Sequence, residues 1–167
     1  IKASIGTMDI VEGTTLIGNS YTLSVGVSGE ITGLTYQWFH DNVKMVNKTT
    51  ATLILNHIDI SDAGNYRVDV SNQYNYVTIH SSTKRLNIGA SVKTQPITVM
   101  KLIGDSHTFT VVAQGEHGDV SSGPYQYQWY KGGVKMSGDT SSNMDISNID
   151  ISDAANYTVH VWNKYNA

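Results

Sequence analysis

A chain of 167 residues suits one large domain or two small ones and is long enough to bury a genuine hydrophobic core. Only 15% of its residues are charged, while Gly (15), Tyr (10) and abundant Thr, Ser, Val and Asn are the usage of pleated strands joined by polar turns. Eleven Lys and Arg against fourteen Asp and Glu give a net charge of -3 with no basic block, which argues against nucleic acid as a partner, and no apolar run reaches the roughly 20 residues that cross a bilayer.

At the amino terminus, Ile1-Lys2-Ala3-Ser4 lacks the charged-then-apolar layout of a signal peptide. It is similar instead to Ile88-Gly89-Ala90-Ser91, so these four residues are expected to be a linker from a preceding unit. A strand follows at Tyr21-Thr22-Leu23-Ser24-Val25, and Ser28-Gly29 turns the chain toward a second strand, Tyr36-Gln37-Trp38-Phe39, which ends at the turn Asp41-Asn42. Leu53, Leu55 and Ile58 offer apolar positions before a turn that opens on Asp59. In Tyr66-Arg67-Val68-Asp69-Val70 the alternation is clean: Tyr66, Val68 and Val70 share one face, Arg67 and Asp69 the other. A hairpin tip, Asn72-Gln73-Tyr74-Asn75-Tyr76, leads into a last strand within residues 77–88, where Leu86 and Ile88 should bury their side chains.

The pattern then recurs. Tyr36-Gln37-Trp38-Phe39 is matched by Tyr127-Gln128-Trp129-Tyr130, and Asp59-Ile60-Ser61-Asp62-Ala63-Gly64-Asn65-Tyr66 by Asp150-Ile151-Ser152-Asp153-Ala154-Ala155-Asn156-Tyr157, both at an offset of 91 residues. Tyr21-Thr22-Leu23-Ser24-Val25 matches His107-Thr108-Phe109-Thr110-Val111 at an offset of 86, so the second copy carries five extra residues, in the polar stretch from Gly115 to Tyr125. Leu53, Leu55 and Ile58 become Met144, Ile146 and Ile149, and Trp162-Asn163-Lys164-Tyr165-Asn166 stands where copy one has its hairpin tip. The expected organisation is two domains, residues 1–88 and 89–167, the second without its last strand. The join, Leu86-Asn87-Ile88-Gly89-Ala90-Ser91-Val92, holds no long flexible run, so the domains are expected to follow closely as a semi-rigid rod.

A strand pattern, a Trp about a dozen or more residues on, and Asp-x-Gly/Ala-x-Tyr-x-Val resemble the immunoglobulin superfamily, most closely its I-set-like domains, twice over and across nearly the whole chain. The resemblance implies an all-β fold of two tandem Greek-key β-sandwiches, with Tyr66 and Tyr157 tying their strands back to the preceding turn. It also implies that Val25 with Val68, and Val111 with Val159, stand where the family's bridging cysteines would be. Since the chain has no cysteine, Trp38 and Trp129 should pack on valine pairs and no disulfide forms. This favours assembly in a reducing cytoplasm.

Chemistry-bearing residues do not gather into motifs. His40, His57, His80, His107, His117 and His160 form no HxH, HExxH or Cys-paired cluster, and no nucleophile elbow, phosphate loop or dinucleotide fingerprint is present. No catalytic residue, metal ligand or cofactor is expected. Asp59, Asp62, Asp150 and Asp153 recur at equal spacing; calcium is one reading and backbone capping of the turn the favoured one. Exposed aromatics near turns remain as contact candidates: Tyr74, Tyr76, Trp162 and Tyr165, with Trp162 set by alternation to point outward.

Tandem cysteine-free domains of this type resemble the decoration proteins of tailed bacteriophages, the highly immunogenic outer capsid family. That implies a structural display protein on the virion surface, assembled in the host cytoplasm, its partners further immunoglobulin-like domains of the same chain, the capsid through a domain outside this sequence, and a bacterial surface glycan or protein. A bacterial adhesin or carbohydrate-binding surface module is the first alternative, and a titin-like intracellular scaffold the second.

Overall fold

The structure, a computed structural model, describes residues 3–8, 13–29, 31–72, 78–116 and 125–167. It divides into two compact units, Ile1–Ile88 and Gly89–Ala167. The elements described are strands, apart from two single-turn 3-10 helices.

In chain order the first unit contains β1 (Ala3–Met8), β2 (Gly13–Thr15), β3 (Tyr21–Gly29), β4 (Thr35–His40), β5 (Val43–Lys44), β6 (Thr52–Leu55), β7 (Gly64–Ser71), β8 (Ile79–His80) and β9 (Lys84–Ile88). One sheet runs β1-β3-β6; the other runs β2-β9-β7-β4-β5, with β8 also paired to β7. All pairs are antiparallel except β2 with β9, where Gly13 lies opposite Leu86 and Thr15 opposite Ile88. Two-residue turns that need φ > 0 at both central positions match the twist of a hairpin. Asp41 (φ 44) and Asn42 (φ 66) make that turn between β4 and β5.

Between the sheets the alternation read from the sequence becomes burial. Leu23, Val25, Trp38, Leu53, Leu55, Ile58, Tyr66, Val68, Val70, Leu86 and Ile88 form one continuous core. Trp38 and Val68 are fully buried, and Val25 is 7% exposed. Each such side chain contributes about 1.5–3 kcal/mol by leaving water. The indole N–H cannot be buried without an acceptor, and Trp38 Nε1 donates to the Thr50 carbonyl at 2.8 Å. Beside it, Gln37 Nε2 donates to the carbonyls of Trp38 (2.9 Å) and Met45 (2.7 Å).

The second unit contains β10 (Ser91–Thr94), β11 (His107–Thr110), β12 (Val112–Gln114), β13 (Gln126–Lys131), β14 (Val134–Lys135), β15 (Asn143–Ile146) and β16 (Tyr157–Trp162). Here β10 pairs β12, β11 pairs β15, and a three-stranded sheet runs β14-β13-β16. The same devices recur. Trp129 is fully buried and its Nε1 donates to the Ser141 carbonyl at 2.9 Å. Gln128 Nε2 donates to Trp129 and Met136, and Gly132 (φ 55) with Gly133 (φ 82) makes the turn that Asp41 and Asn42 make earlier.

Fewer residues of this unit are fully buried, and two of the expected core residues lie at the edge of the core. Val111, Trp129 and Met144 are buried, whereas Tyr157 and Val159 are partly buried and pack against that cluster. The physical reason is cover. In the first unit β9 pairs with β7 at Gly64–Tyr66 and seals the end of the sandwich with Leu86 (1% exposed) and Ile88 (0%). Among the described residues, no strand pairs with β16 on the corresponding side.

Each unit has a 3-10 turn before its central strand. Asp59 caps the turn Ile60–Asp62, accepting from the Ile60 amide at 2.6 Å while Asp62 Oδ2 accepts from the Asp59 amide at 2.8 Å. Asp150 and Asp153 repeat the reciprocal cap around Ile151–Asp153. The caps therefore serve the backbone. Tyr66 Oη then donates to the Asp62 carbonyl at 2.7 Å, and Tyr157 Oη to that of Asp153 at 2.9 Å, which closes the tyrosine corner the sequence implied.

The Tyr66 phenol has its pKa pushed far above the usual tyrosine range, first by burial and then by the carboxylates of Asp62 and Asp41. A raised folded-state pKa gives a contribution that is complete below the unfolded value and is lost as pH rises through the folded one. Above pH about 10 the unfolded chain releases this proton while the folded chain keeps it, so stability of the first unit should fall by up to about 1.4 kcal/mol per pH unit from this residue. Tyr66→Phe should cost about 0.5–1.5 kcal/mol at neutral pH for the lost hydrogen bond and should flatten that alkaline decline. Denaturant unfolding from pH 8 to 11 checks it; parallel declines in the two proteins would place the buried proton elsewhere.

Candidate functional site

The contact candidates divide unevenly. Tyr74 and Tyr76 fall outside the described residues, as does 117–124, most of the long loop; Trp162 and Tyr165 are placed at the end of β16. Trp162 is the last residue of that strand, opposite Gln126 of β13. It is partly buried, so the outward position expected from alternation is a half-covered one. Tyr165 is also partly buried, with Lys164 Nζ 5.1 Å from its ring centroid.

What sets the shape of this end is a pair of asparagines. Asn163 is only 2% exposed. Its Nδ2 donates to the Glu116 carbonyl at 2.9 Å and its Oδ1 accepts from the Tyr165 amide at 3.0 Å. Asn166 Oδ1 accepts from the amides of Asn163 (3.0 Å) and Ala90 (3.1 Å), and its Nδ2 donates back to the Ala90 carbonyl at 2.9 Å. The turn after β16 is thus bound both to the stem of the long loop and to the residue preceding β10. Side-chain amides suit this because each offers a donor and an acceptor on one planar group.

The stems of the loop are tied as well. Tyr125 Oη donates to the Gly115 carbonyl at 2.9 Å. Gly115 sits at φ 131, and a Cβ there would meet the Gly89 carbonyl oxygen at 2.5 Å, so no other residue fits without backbone movement. Trp162 and Tyr165 are brought to one turn, held against a fixed loop base. Sequence reasoning took the asparagines as turn formers and missed the bridge that Asn163 builds to Glu116. The available signal was their recurrence at Asn72 and Asn75, at the offset of 91; Asn72 is likewise buried, at 5%.

The histidines have local roles. His40 stacks on Tyr66 with ring centroids 4.6 Å apart and an interplanar angle of 13°. His80 pairs across strands with Asp69 at 2.6 Å, and Arg67 joins both while its guanidinium lies 4.1 Å from the Phe39 centroid. His160 packs on Tyr130, and His57 takes the positive-φ position (φ 53) that Asn148 takes in the second unit. His117 lies outside the described residues. Where the first unit has His40, the second has Lys131, whose Nζ reaches Asp153 at 2.8 Å; that hydrogen bond raises the lysine pKa and lowers the aspartate's. Among the described residues no three His, Asp or Glu side chains gather as a metal site, and no helix is long and apolar enough to cross a membrane.

No family model matches the sequence. The human mucosa-associated lymphoid tissue lymphoma translocation protein 1 is 27% identical over 143 residues, covering 77% of this chain and 17% of that protein. The muscle M-line assembly protein unc-89 of Caenorhabditis elegans is 28% identical over 173 residues, covering 92% of this chain and 2% of that protein. The chain therefore spans a small part of either relative. Among solved structures, insect hemolin aligns with a TM-score of 0.66 at 13% identity, over 99% of this chain and 44% of that one. An I-band fragment of titin gives 0.56 at 17% identity, over 98% and 61%. These likenesses identify the fold as tandem immunoglobulin-like domains.

Removing Asn163 should loosen the turn without touching the Trp129 core. Asn163→Ala should cost about 1–3 kcal/mol, because the hydrogen bonds it makes to the Glu116 carbonyl and the Tyr165 amide at a part-buried site are lost. Urea unfolding measures the loss, and a variant as stable as the parent would show that the network does not hold this end.

Proposed function

We propose that this chain is a non-catalytic display and spacer module, the exposed stretch of a cysteine-free immunoglobulin-like array on a bacteriophage virion, with the β16 end of the second unit turned to a bacterial surface glycan or protein. The observation that carries this reading is the core: each buried Trp sits in a cluster whose family cysteine positions hold valine. Such domains are complete in a reducing cytoplasm, where a virion is assembled, without an oxidation step. Tandem layout adds to the resemblance with phage decoration proteins. In this reading the capsid is engaged through a domain outside the present sequence, and no cofactor or metal takes part.

The geometry of the last turn supports the proposed contact surface. Aromatic rings held by a rigid backbone supply contact area at low entropic cost, and they stack on sugar rings as readily as on protein. Trp162 and Tyr165 have that character, with Tyr74 and Tyr76 as their counterparts by repeat.

A second reading is an intracellular scaffold, favoured by the 28% identity with a muscle M-line assembly protein across 92% of the chain. A reducing compartment suits it equally, but its partners would be other assembly proteins.

Retention of the 167-residue chain on bacterial cells and on immobilised surface polysaccharides, compared with Trp162→Ala/Tyr165→Ala, tests the proposal. Binding that falls tenfold or more in the double variant at unchanged melting temperature is expected, the scale of a contact hot spot. Equal binding would remove these residues from the surface. Absence of binding to any bacterial surface would favour the scaffold.

A further inference from the structure

In each unit the strand before the 3-10 turn ends a sheet: β6 in the first and β15 in the second. β6 pairs with β3 on one side, Tyr21 opposite Leu55 and Thr22 opposite Ile54, and among the described residues with no strand on the other. Antiparallel pairing alternates residues whose amide and carbonyl point to the neighbouring strand with residues whose groups point away. The Val25 amide donates to the Ala51 carbonyl, which sets the phase. Leu53 and Leu55 therefore bond to β3, while Thr52 and Ile54 turn their backbone groups outward. Thr50 Oγ1 donates to the Thr52 carbonyl at 2.6 Å. The amide and carbonyl of Ile54 are left at the open edge.

Open edges invite other strands, and proteins blunt them with charge, proline or a bulge. β6 carries none of these. From Thr49 to Ile58 there is no Asp, Glu, Lys, Arg or Pro, and the register with β3 runs without a shift. The Ile54 side chain is 51% exposed, beside the exposed and uncharged Thr22 and Thr52. The second unit differs at the same place. At the offset of 91 Ile54 becomes Asp145, whose Oδ1 accepts from Thr108 Oγ1. Ser141 Oγ also donates to the Asn143 carbonyl and accepts from the Asn143 amide. One copy of the repeat guards this edge and the other leaves it open.

We propose that the β6 edge is a homotypic contact, on which a second copy of this chain pairs antiparallel, β6 against β6, through the backbone of Ile54. The occupant is a copy because the strand complements itself. On a two-fold axis at Ile54 each amide meets the carbonyl of the other chain, and the two isoleucine side chains meet on one outer face. Chains of net charge -3 repel one another elsewhere, but no formal charge enters this contact. A partner selected by opposite charge has nothing here to recognise. The contact is small beside a standard interface of about 1,600 Å², so it is weak between free chains. It gains strength where copies are held close together. It shares no residue with the aromatic turn after β16, so either can fail alone.

Sedimentation velocity on the 167-residue chain, from about ten micromolar to about one millimolar, tests the pairing. The average mass should rise from monomer toward dimer and no further, since a two-fold contact closes on itself. Ile54→Asp introduces the residue that the second unit already carries and sets two carboxylates against each other. It should weaken dimerisation by about tenfold or more at an unchanged melting temperature, whereas Ile54→Val should keep it. In the unaltered chain, NMR amide signals of residues 52–56 should shift with concentration and exchange of the Ile54 amide should slow. That measurement decides by itself should Ile54→Asp lower the melting temperature. A chain still monomeric at about one millimolar, an Ile54→Asp variant that dimerises as well as the parent, or concentration-dependent shifts confined to other strands would overturn the proposal.

Discussion

A single indole enclosed between two sheets is the interaction on which each unit depends. Trp38 and Trp129 are the largest fully buried side chains, and each fixes more than hydrophobic area. Because its N–H must find an acceptor, the ring is anchored to a carbonyl twelve residues on, Thr50 or Ser141. Because its own carbonyl accepts from the following hairpin and from the neighbouring Gln amide, the strand that carries it is locked in register with its partner. The valines packed with it, Val25 and Val68 or Val111 and Val159, are held by contact alone, since the chain has no cysteine. A covalent cross-link acts mainly on the unfolded chain, whereas packing acts on the folded one, so these domains depend on complementarity of shape throughout.

That dependence explains the unequal cores. With β9 in place, the face of β7 is sealed and Tyr66, Val68 and Val70 are all at 0% exposure. The matching residues of β16 have the same identity or character yet stay partly open. Among the described residues no strand pairs with β16 on the side where β9 pairs with β7, and the same sequence pattern shows different burial there. The tyrosine corner survives the difference, since its hydrogen bond and reciprocal Asp cap are local to about eight residues.

This division marks what could be read from the residues alone. The strand alternation, the positions of both tryptophans, the corner tyrosines and the capping role of the aspartates are local or repeated patterns, and the structure has them. The partial exposure of Tyr157 and Val159 was not legible, because alternation reports which way a side chain points and not what lies above it. Nor was the link from Asn163 to Glu116, which joins residues 47 apart in sequence through a loop of the second copy's own. Trp162 is the intermediate case: parity gave its direction, while its partial cover belongs to the tertiary environment. The histidines fit ordinary strand and turn positions in the sequence, while the stacking of His40 on Tyr66 and the pairing of His80 with Asp69 are tertiary contacts that only the structure shows.

For function, two features stand together: the fold holds its cores without a disulfide, and the described candidates Trp162 and Tyr165 lie partly buried at the end of β16. The most direct test of the account is to restore the bond its core replaces, by introducing Val25→Cys together with Val68→Cys. If these valines stand back to back across the sandwich beside Trp38, the pair should oxidise spontaneously in air. The first unit should then gain about 2–4 kcal/mol, lost again on reduction. Two thiols that remain free under oxidising conditions, or a bond that destabilises the unit, would contradict the assignment of the core from which the rest is built.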